Sequence, residues 1–280
     1  MSDPLVPTAW LADRLGSDAV QVVDATWFMP GDGRTGAQAY AAAHIPGAVF
    51  FDIDAISDRA TALPHMLPAP DAFAEAAGGL GLRRDLTIII YDDQGIFSAP
   101  RVWWTLRTMG FPEVFVLDGG LAKWRAEGRA VTAEAPNPAP TTIEPAFDPS
   151  LVRDLEAVRG AVDRRDAQLV DARAGVRFRG EAPEPRAGLR SGHMPGAHNV
   201  PWEGLIAGDG TMKTAGDLRA AFLNAGVDLD GPIVTTCGSG VSAALLALAL
   251  ARLGREDVAV YDGSWTEWGG CADTPVATGA

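Results

Sequence analysis

One of the chain's two cysteines, Cys237, stands where a short apolar run gives way to a loop with two glycines. The stretch reads PIVTTCGSGVSAALLALAL and spans residues 232–250. If PIVTT is a strand and VSAALL opens a helix, loop amides and the positive end of the helix dipole both face the sulfur. Such surroundings favour the thiolate, which is the nucleophilic form of cysteine. The pattern therefore predicts a nucleophile, with a buried packing cysteine as the alternative.

Two other kinds of site, a cysteine-based phosphatase site and a metal site, fit the residues less well. Cysteine-based phosphatases also place a cysteine before a loop of amides and a helix, but they need an arginine six positions later, where this chain has Ala243. His193 and His198 stand five apart across a Pro-Gly turn and lack a third ligand at a useful spacing, so we predict no metal site. The second cysteine, Cys271, is interpreted as incidental.

The bulk composition limits the classes of partner. With 280 residues, 47% hydrophobic and 21% charged, the chain has the composition of an ordinary soluble globular protein. Its net charge of −13 argues against nucleic acid or an anionic membrane surface as a partner. No stretch of 18 continuous apolar residues and no signal-like amino terminus are found, so we expect a cytoplasmic protein. A small anionic substrate would need a local cluster of arginines.

The chain contains an internal repeat. Three blocks recur in the same order, and the last pair aligns without a gap. They are VVDAT (22–26) with LVDAR (169–173), HIPGAVFF (44–51) with HMPGAHNV (193–200), and residues 98–124 with residues 242–268. Duplication explains this better than chance. We therefore predict one domain over 1–134, a proline-rich extended linker over 135–149, and a second domain over 150–280.

Strand and helix signals alternate within each half. Short β-rich runs such as QVVDA, LTIIIYD and PIVTTC are separated by helical patterns such as DAFAEAAGGLG, DLRAAFLNAG and VSAALLALALARLG. Alternation of this kind predicts an α/β fold in which each domain is a parallel sheet with helices on both faces. The helix over 240–253 is apolar on nearly every side, so it should be buried, and Gly254 is a plausible terminator.

Together, CGSGVSAA after a strand, HIPGA, HMPGA, SAPRVWW and YDGSWTEWG resemble the two-domain rhodanese superfamily, and within it the 3-mercaptopyruvate sulfurtransferases. The resemblance runs over essentially the whole chain. It implies two tandem rhodanese-like domains, of which the second carries the active cysteine. The first would be catalytically silent, because Asp92 in IIIYDDQG stands where the second half has Cys237. No organic cofactor is implied, since the cysteine itself carries the sulfur.

The reaction that the resemblance implies is a double displacement. The thiolate of Cys237 would take sulfur from 3-mercaptopyruvate, a small anionic donor, and release pyruvate. The resulting persulfide would pass its outer sulfur to a thiol acceptor such as thioredoxin, or to cyanide. The implied substrate-binding set comprises the loop residues Gly238, Gly240, Val241 and Ser242 and two clamping arginines, Arg177 and Arg186. Arg173, Arg179 and Arg190 are second-line candidates.

A proton relay is also implied by the resemblance. Ser239 is the loop residue best placed to pass a proton, and His44 fits the histidine of such a relay. The sequence does not identify its acid, although Asp32 is near in the chain. A structural role for His44 is the alternative, because the repeat places His193 in the same HxPGA turn of the other half.

Two further functions stay open at this stage. Thiosulfate sulfurtransferases usually have a cationic loop that suits a dianion, whereas Gly238 and Ser239 are neutral and favour mercaptopyruvate. A non-catalytic rhodanese-type interaction module would have no need of the cysteine and its glycine loop, so their presence argues against that role.

Overall fold

A computed structural model describes residues 3–279 of the chain, which divide into two compact units. One unit contains the chain up to Arg59, Leu67–Asp148 and Ala207–Met212. The other contains Ala60–Met66, Pro149–Ile206 and the chain from Lys213 onward. Within the part of the chain that the structure describes, no helix is long and apolar enough to cross a membrane.

Within residues 3–279, each half of the chain contributes five strands and five α-helices. The first half has β1 (Leu5–Val6), α1 (Thr8–Ala12), β2 (Val20–Asp24), α2 (Gly36–Ala42), β3 (Val49–Phe50), α3 (Pro70–Gly79), β4 (Thr87–Tyr91), α4 (Ala99–Thr108), β5 (Val114–Leu117) and α5 (Gly120–Ala126). The second half has β6 (Val152–Arg153), α6 (Leu155–Arg164), β7 (Gln168–Asp171), α7 (Gly175–Phe178), β8 (His198–Asn199), α8 (Ala215–Asn224), β9 (Ile233–Thr236), α9 (Val241–Arg252), β10 (Ala259–Tyr261) and α10 (Ser264–Trp268). Short 3₁₀ helices cover Pro149–Leu151 and Trp202–Leu205.

The two halves build the same sheet. The strand order is β1-β5-β4-β2-β3 in the first and β6-β10-β9-β7-β8 in the second, and every pairing is parallel. Strands β4 and β9 lie at the centre and are almost entirely buried. Because the strands are parallel, their carboxyl ends meet at one edge of each sheet, where the connecting loops reach the helix amino termini. The predicted α/β fold is confirmed.

Strong periodic signals in the sequence coincide with the elements observed. Helix α9 is buried at every position from Ala243 to Ala251, as its all-round apolar pattern predicts. Gly254 follows the helix with φ +90°, which confirms its predicted role as a terminator. The edge strands β1, β3, β6 and β8 have two residues each, which is too short to show any period.

The predicted linker has no regular secondary structure over residues 134–148, as expected of its prolines. It nevertheless lies against the first unit. Thr141 donates its backbone N–H to the carbonyl oxygen of Gly78 over 2.9 Å and its hydroxyl to that of Leu82 over 2.6 Å. Asp148 N donates to the carbonyl oxygen of Thr108 over 2.8 Å. This segment is therefore anchored to one unit for most of its length, and the domain boundaries drawn from the sequence stay predictions.

Strands β2 and β7 both end in an aspartate, Asp24 and Asp171, but the two carboxylates differ in whether an arginine neutralises their charge. Asp171 at the end of β7 forms a fully buried ion pair with Arg173, over 2.6 Å. Its counterpart Asp24 has the neutral Thr26 where the second half has Arg173, and the Thr26 backbone N–H donates to Asp24 over 2.8 Å. Burial raises the pKa of the Asp24 carboxyl above its ordinary value, and the nearby charge of Asp92 raises it further.

We predict that Asp24→Asn makes the free energy of unfolding less dependent on pH. A raised pKa in the folded state stabilises the fold at low pH, and this contribution is lost as the pH rises through that pKa. Asparagine has no charge to bury. The free energy of unfolding of D24N should therefore rise relative to that of the wild type as the pH goes from about 5 to about 7.5. Urea denaturation at the two pH values measures the difference.

The repeat supplies a control for this substitution. Asp171→Asn removes one partner of a buried ion pair, so it should destabilise the protein at both pH values, by about 3 kcal/mol. Parallel pH dependence of D24N and the wild type would contradict the assignment of a raised pKa to Asp24.

Candidate active site

Cys237 lies directly after β9, with its side chain turned into a loop of backbone amides. The residue is buried, with 2% of its surface exposed. Gly240 donates its backbone N–H to the Cys237 Sγ over 3.1 Å. Gly240 adopts φ +81° and precedes α9, a conformation that turns the amide inward and that glycine adopts without strain. The sulfur therefore accepts a backbone hydrogen bond at the start of α9.

The first residues of α10 fix the main chain of this loop through hydrogen bonds. The Cys237 N–H donates to the Ser264 Oγ over 3.2 Å, and the Cys237 carbonyl oxygen accepts from Trp265 N over 2.9 Å. Gly238 is fixed by Thr266, which donates both its backbone N–H (2.9 Å) and its hydroxyl (2.6 Å) to the Gly238 carbonyl oxygen. Two successive peptide groups of the loop are thus held by one helix start.

A buried chain of alternating charges runs from the end of β7 to this loop. Arg173 pairs with Asp171 and, through Nη1, with the Glu184 Oε1 over 2.8 Å. The other oxygen of Glu184 accepts from the Arg177 Nη2 over 2.5 Å. The Arg173 guanidinium also stacks on the ring of Trp265, 4.2 Å from its centroid. Burial opposes the charge of Arg173, but Asp171 and Glu184 outweigh it and raise the pKa of the guanidinium.

Arg177 is the member of this chain that solvent can reach. Its side chain is 22% exposed, whereas that of Glu184 is 2% exposed. A Cβ atom placed on Gly238 would lie 3.3 Å from the Arg177 Nη2. A side chain at position 238 would therefore crowd the guanidinium, and glycine leaves room between the loop and the cation. The exposed part of the Arg177 guanidinium thus borders the cysteine loop, and its role in binding an anion stays a prediction.

The other predicted loop and clamp residues lie as follows. Ser239 and Val241 are buried in the loop and at the start of α9, and Ser242 is half-buried in the first turn of that helix. Arg186 lies in the irregular segment between α7 and β8 and is half-buried. The roles of these residues stay predictions.

The second-line arginines have intramolecular partners. Arg190 donates to a group of carbonyl oxygens at the end of α10, including those of Trp268 (2.9 Å) and Thr274 (2.7 Å). Arg179 forms a surface ion pair with Glu181 over 2.7 Å. Arg173, Arg179 and Arg190 are thus held by groups of the protein itself, and the Arg177 guanidinium lies close to Gly238 of the loop.

His44 has the contacts of a structural histidine. Its Nδ1 lies 2.8 Å from the Tyr40 carbonyl oxygen, its Nε2 lies 3.2 Å from the Glu134 carbonyl oxygen, and its ring stacks on Tyr40. His193 repeats the arrangement in the second half, with Nδ1 2.8 Å from the Phe178 carbonyl oxygen and its ring stacked on Phe178. These contacts support the structural alternative for His44. Asp32, the acid considered in the sequence, forms an exposed ion pair with Arg34.

The first half keeps the amide loop but fills it with its own carboxylate. One oxygen of Asp92, which is fully buried, accepts backbone N–H bonds from Phe97 (2.8 Å), Ser98 (2.9 Å) and Ala99 (2.9 Å). The other accepts from Gln94 N over 2.9 Å. Burial raises the pKa of Asp92, and the four amides act in the opposite direction. The loop that faces a sulfur in one half is occupied by a carboxylate in the other.

The described residues form neither a metal site nor a disulfide. Within residues 3–279 no group of three or more His, Cys, Asp or Glu side chains is placed to hold a metal ion. Cys237 and Cys271 are both free thiols. His198, which the sequence pairs with His193, places its Nδ1 2.9 Å from the carbonyl oxygen of Ala225.

Each unit contains a parallel sheet, and in the second a cysteine at the end of the central strand faces a loop amide. This arrangement is that of a cysteine-dependent enzyme of the sulfur-transfer class. The chain belongs to the family of proteins with rhodanese-like domains, whose model matches residues 7–127 and 154–271. The predicted tandem rhodanese fold is therefore confirmed.

Several proteins resemble the chain over most of its length. The 3-mercaptopyruvate sulfurtransferase of Escherichia coli is 47% identical and covers 95% of both chains. The thiosulfate sulfurtransferase of Rattus norvegicus is 42% identical over 94% of this chain and 91% of its own. The crystal structure of a 3-mercaptopyruvate sulfotransferase from Escherichia coli superimposes with a TM-score of 0.87 at 44% identity, and covers 94% of this chain and 99% of that one.

Sequence reasoning missed Glu184 and Ser264 as contributors to the site. Glu184 has no motif of its own, and its importance follows only from lying between two arginines. Ser264 carried a weak signal, because the gapless repeat alignment pairs it with Gly120, a change of residue type in an otherwise similar turn.

We predict that Glu184→Gln destabilises the protein strongly. The substitution leaves the buried Arg173 with one carboxylate in place of two, and the loss should be about 3 kcal/mol in the free energy of unfolding. Glu181→Gln is the matched control, because it breaks an exposed pair with Arg179 and should cost under about 0.5 kcal/mol. Urea denaturation of both variants tests this, and equal losses would show that the buried chain of charges has no special weight.

Proposed function

We propose that the chain is a 3-mercaptopyruvate sulfurtransferase in which Cys237 carries the transferred sulfur as a persulfide. The observation that carries this proposal is the position of the Cys237 sulfur, 3.1 Å from the Gly240 amide, in a loop that the Arg177 guanidinium borders. The enzymes similar over nearly the whole chain, named above, support the activity. The cysteine is itself the carrier, so the reaction needs no organic cofactor.

The sulfur-transfer step requires a thiolate and a stable leaving group. The Cys237 thiolate attacks the sulfur of 3-mercaptopyruvate and forms the S–S bond of a persulfide. The carbon–sulfur bond breaks, its electron pair passes to the organic fragment as an enolate, and protonation of that carbon gives pyruvate. A thiolate acceptor or cyanide then attacks the outer sulfur and releases the Cys237 thiolate. Ser239, in the loop, is proposed to pass the proton.

The donor is an anion, and the chain as a whole repels anions. With a net charge of −13, binding depends on local cations, and Arg177 and Arg186 are proposed to hold the planar α-keto carboxylate through paired hydrogen bonds. Glu184 orients Arg177 over 2.5 Å while leaving part of the guanidinium exposed. Loop amides from Gly238 to Ser242 are proposed to stabilise the persulfide anion, as preorganised donors do in oxyanion holes.

Thiosulfate is the second candidate donor, favoured by the similarity to the rat thiosulfate sulfurtransferase. The loop itself argues for mercaptopyruvate, because Gly238 and Ser239 bring no charge that would suit a dianion. Thioredoxin or cyanide as the acceptor and a cytoplasmic location stay predictions. The His44 relay also stays a prediction, and its contacts with Tyr40 and Glu134 do not support it.

We predict that Cys237 gains the mass of one sulfur atom when the protein is incubated with 3-mercaptopyruvate. Intact-mass spectrometry measures the shift, and peptide mapping assigns it to a residue. Cys237→Ser should abolish both the shift and turnover, because serine cannot form a persulfide. Cys271→Ser is the matched control and should keep both. A non-catalytic interaction module would show no shift in the wild-type protein.

We predict that Arg177→Ala and Arg186→Ala raise KM for 3-mercaptopyruvate by roughly tenfold to a hundredfold, the range expected for loss of a hydrogen bond to a charged group. Arg179→Ala serves as the control, since Arg179 pairs with Glu181 at the surface, and its KM should be unchanged. Steady-state kinetics with 3-mercaptopyruvate and thiosulfate measured side by side also decide the donor. A higher kcat/KM for thiosulfate would overturn our choice of substrate.

A further inference from the structure

Ser264 is held in a backbone conformation that side chains disfavour. It adopts φ +50°, and within residues 3–279 only His65 and Arg165 share a positive φ among residues other than glycine. Such a conformation costs a residue with a side chain roughly 1–2 kcal/mol relative to the ordinary helical region. Ser264 is also fully buried. A strained buried serine beside the cysteine loop calls for a physical reason.

The repeat shows that the turn itself does not require serine. Gly120 is the counterpart of Ser264 in the gapless alignment of residues 98–124 with 242–268, and it adopts φ +54° at the start of α5. Leu121 N donates to the Asp92 carbonyl oxygen over 2.9 Å, as Trp265 N donates to that of Cys237. The two turns therefore share the positive φ at this position and this backbone bond, but they differ one residue earlier, where Gly119 adopts φ +87° and Gly263 adopts φ −65°.

The hydroxyl of Ser264 uses its full hydrogen-bonding capacity. It donates to the Tyr261 carbonyl oxygen over 2.8 Å and accepts from the Cys237 N–H over 3.2 Å. Thr236 supplies the third contact, with its Oγ1 3.4 Å from the Ser264 Oγ. One donor and two acceptors are what a hydroxyl offers. These bonds join the ends of the neighbouring strands β9 and β10 at the point where the cysteine begins its loop.

We infer that Ser264 is a positioning residue that fixes the main chain of Cys237, so that its sulfur meets the Gly240 amide. This inference rests on the proposed function in one respect, the role of Cys237 as sulfur carrier. In the first half Asp92 fixes its loop through its own carboxylate and four amides, and position 120 has no room for a side chain, because a Cβ atom there would lie 2.3 Å from the Gly95 carbonyl oxygen. In the second half the sulfur accepts a hydrogen bond from the Gly240 amide. The Ser264 hydroxyl holds the Cys237 main chain by accepting from the Cys237 N–H.

Two substitutions separate the hydroxyl from the backbone conformation. Ser264→Ala keeps a side chain at φ +50° and removes the hydroxyl, whereas Ser264→Gly removes the hydroxyl and relieves the strain. We expect kcat for 3-mercaptopyruvate to fall by about tenfold to a hundredfold in both, because small displacements of a reacting atom have effects of this size. KM should stay within about twofold, since Ser264 contacts none of the proposed donor-binding arginines. S264G should melt at a higher temperature than S264A.

Arg165→Gly is the matched control for strain. Arg165 has φ +56° and is exposed at the end of α6, so glycine should relieve similar strain there and leave kcat unchanged. If S264A does not fold, S264G alone carries the comparison with R165G.

The outcomes separate the hydroxyl from the alternatives. Equal losses of kcat in S264A and S264G, with KM retained, support the inference. Full kcat in S264G would show that only the backbone conformation matters and would overturn it, as would full kcat in both variants. A rise in KM that matches the fall in kcat would indicate general damage to the site and would also overturn it.

Failure of the proposed function is recognised separately. If the wild-type protein takes up sulfur from neither 3-mercaptopyruvate nor thiosulfate, the function is wrong irrespective of Ser264. The positioning claim is then tested by hydrogen exchange of the peptide that contains Cys237, which should be roughly tenfold faster in S264A and S264G than in the wild type and in R165G. Unchanged exchange would overturn it.

Discussion

The contact between the Gly240 amide and the Cys237 sulfur is the interaction on which the site depends. It exists because a central parallel strand ends just before the cysteine and a helix begins just after Gly240. The left-handed conformation of Gly240 lets the chain make that connection in four residues. The Gly240 N–H therefore presents a peptide dipole to a buried sulfur at the start of α9.

Comparison of the two halves separates the features that they share from those found only in the half with Cys237. The strand order, the HxPGA histidines and the positive φ at the first residue of the last helix recur in both. The first half lacks the arginine at the position of Arg173 and the hydroxyl at the position of Ser264, having Thr26 and Gly120 there. Both missing groups act on the cysteine loop or on the arginine beside it. The shared features support the fold, and the differing ones support the site.

The sequence predicted the fold well where local pattern decides structure. Strand β4 and helix α9 are largely apolar and strand β9 is a run of β-branched residues, so their type and place could be predicted directly. The two-residue edge strands could not, because their pairing depends on neighbours far along the chain. The same limit applied to the site: Cys237 and its glycines form a local motif, whereas Glu184 joins Arg173 to Arg177 only after folding. His44 illustrates the opposite case, in which a motif histidine finds carbonyl partners at Tyr40 and Glu134.

The carboxylate in the amide loop of the first half bears on how the duplicated copies diverged. From Asp92 to Ser98 the loop spans one residue more than from Cys237 to Ser242, and its amides converge on two oxygens of one carboxylate. Exchanging that aspartate for cysteine would put a single sulfur atom into a ring shaped for a larger anion and leave buried N–H groups without acceptors. To match the second half, the loop would also have to be one residue shorter. A single Asp92→Cys substitution therefore does not reproduce the loop of the second half.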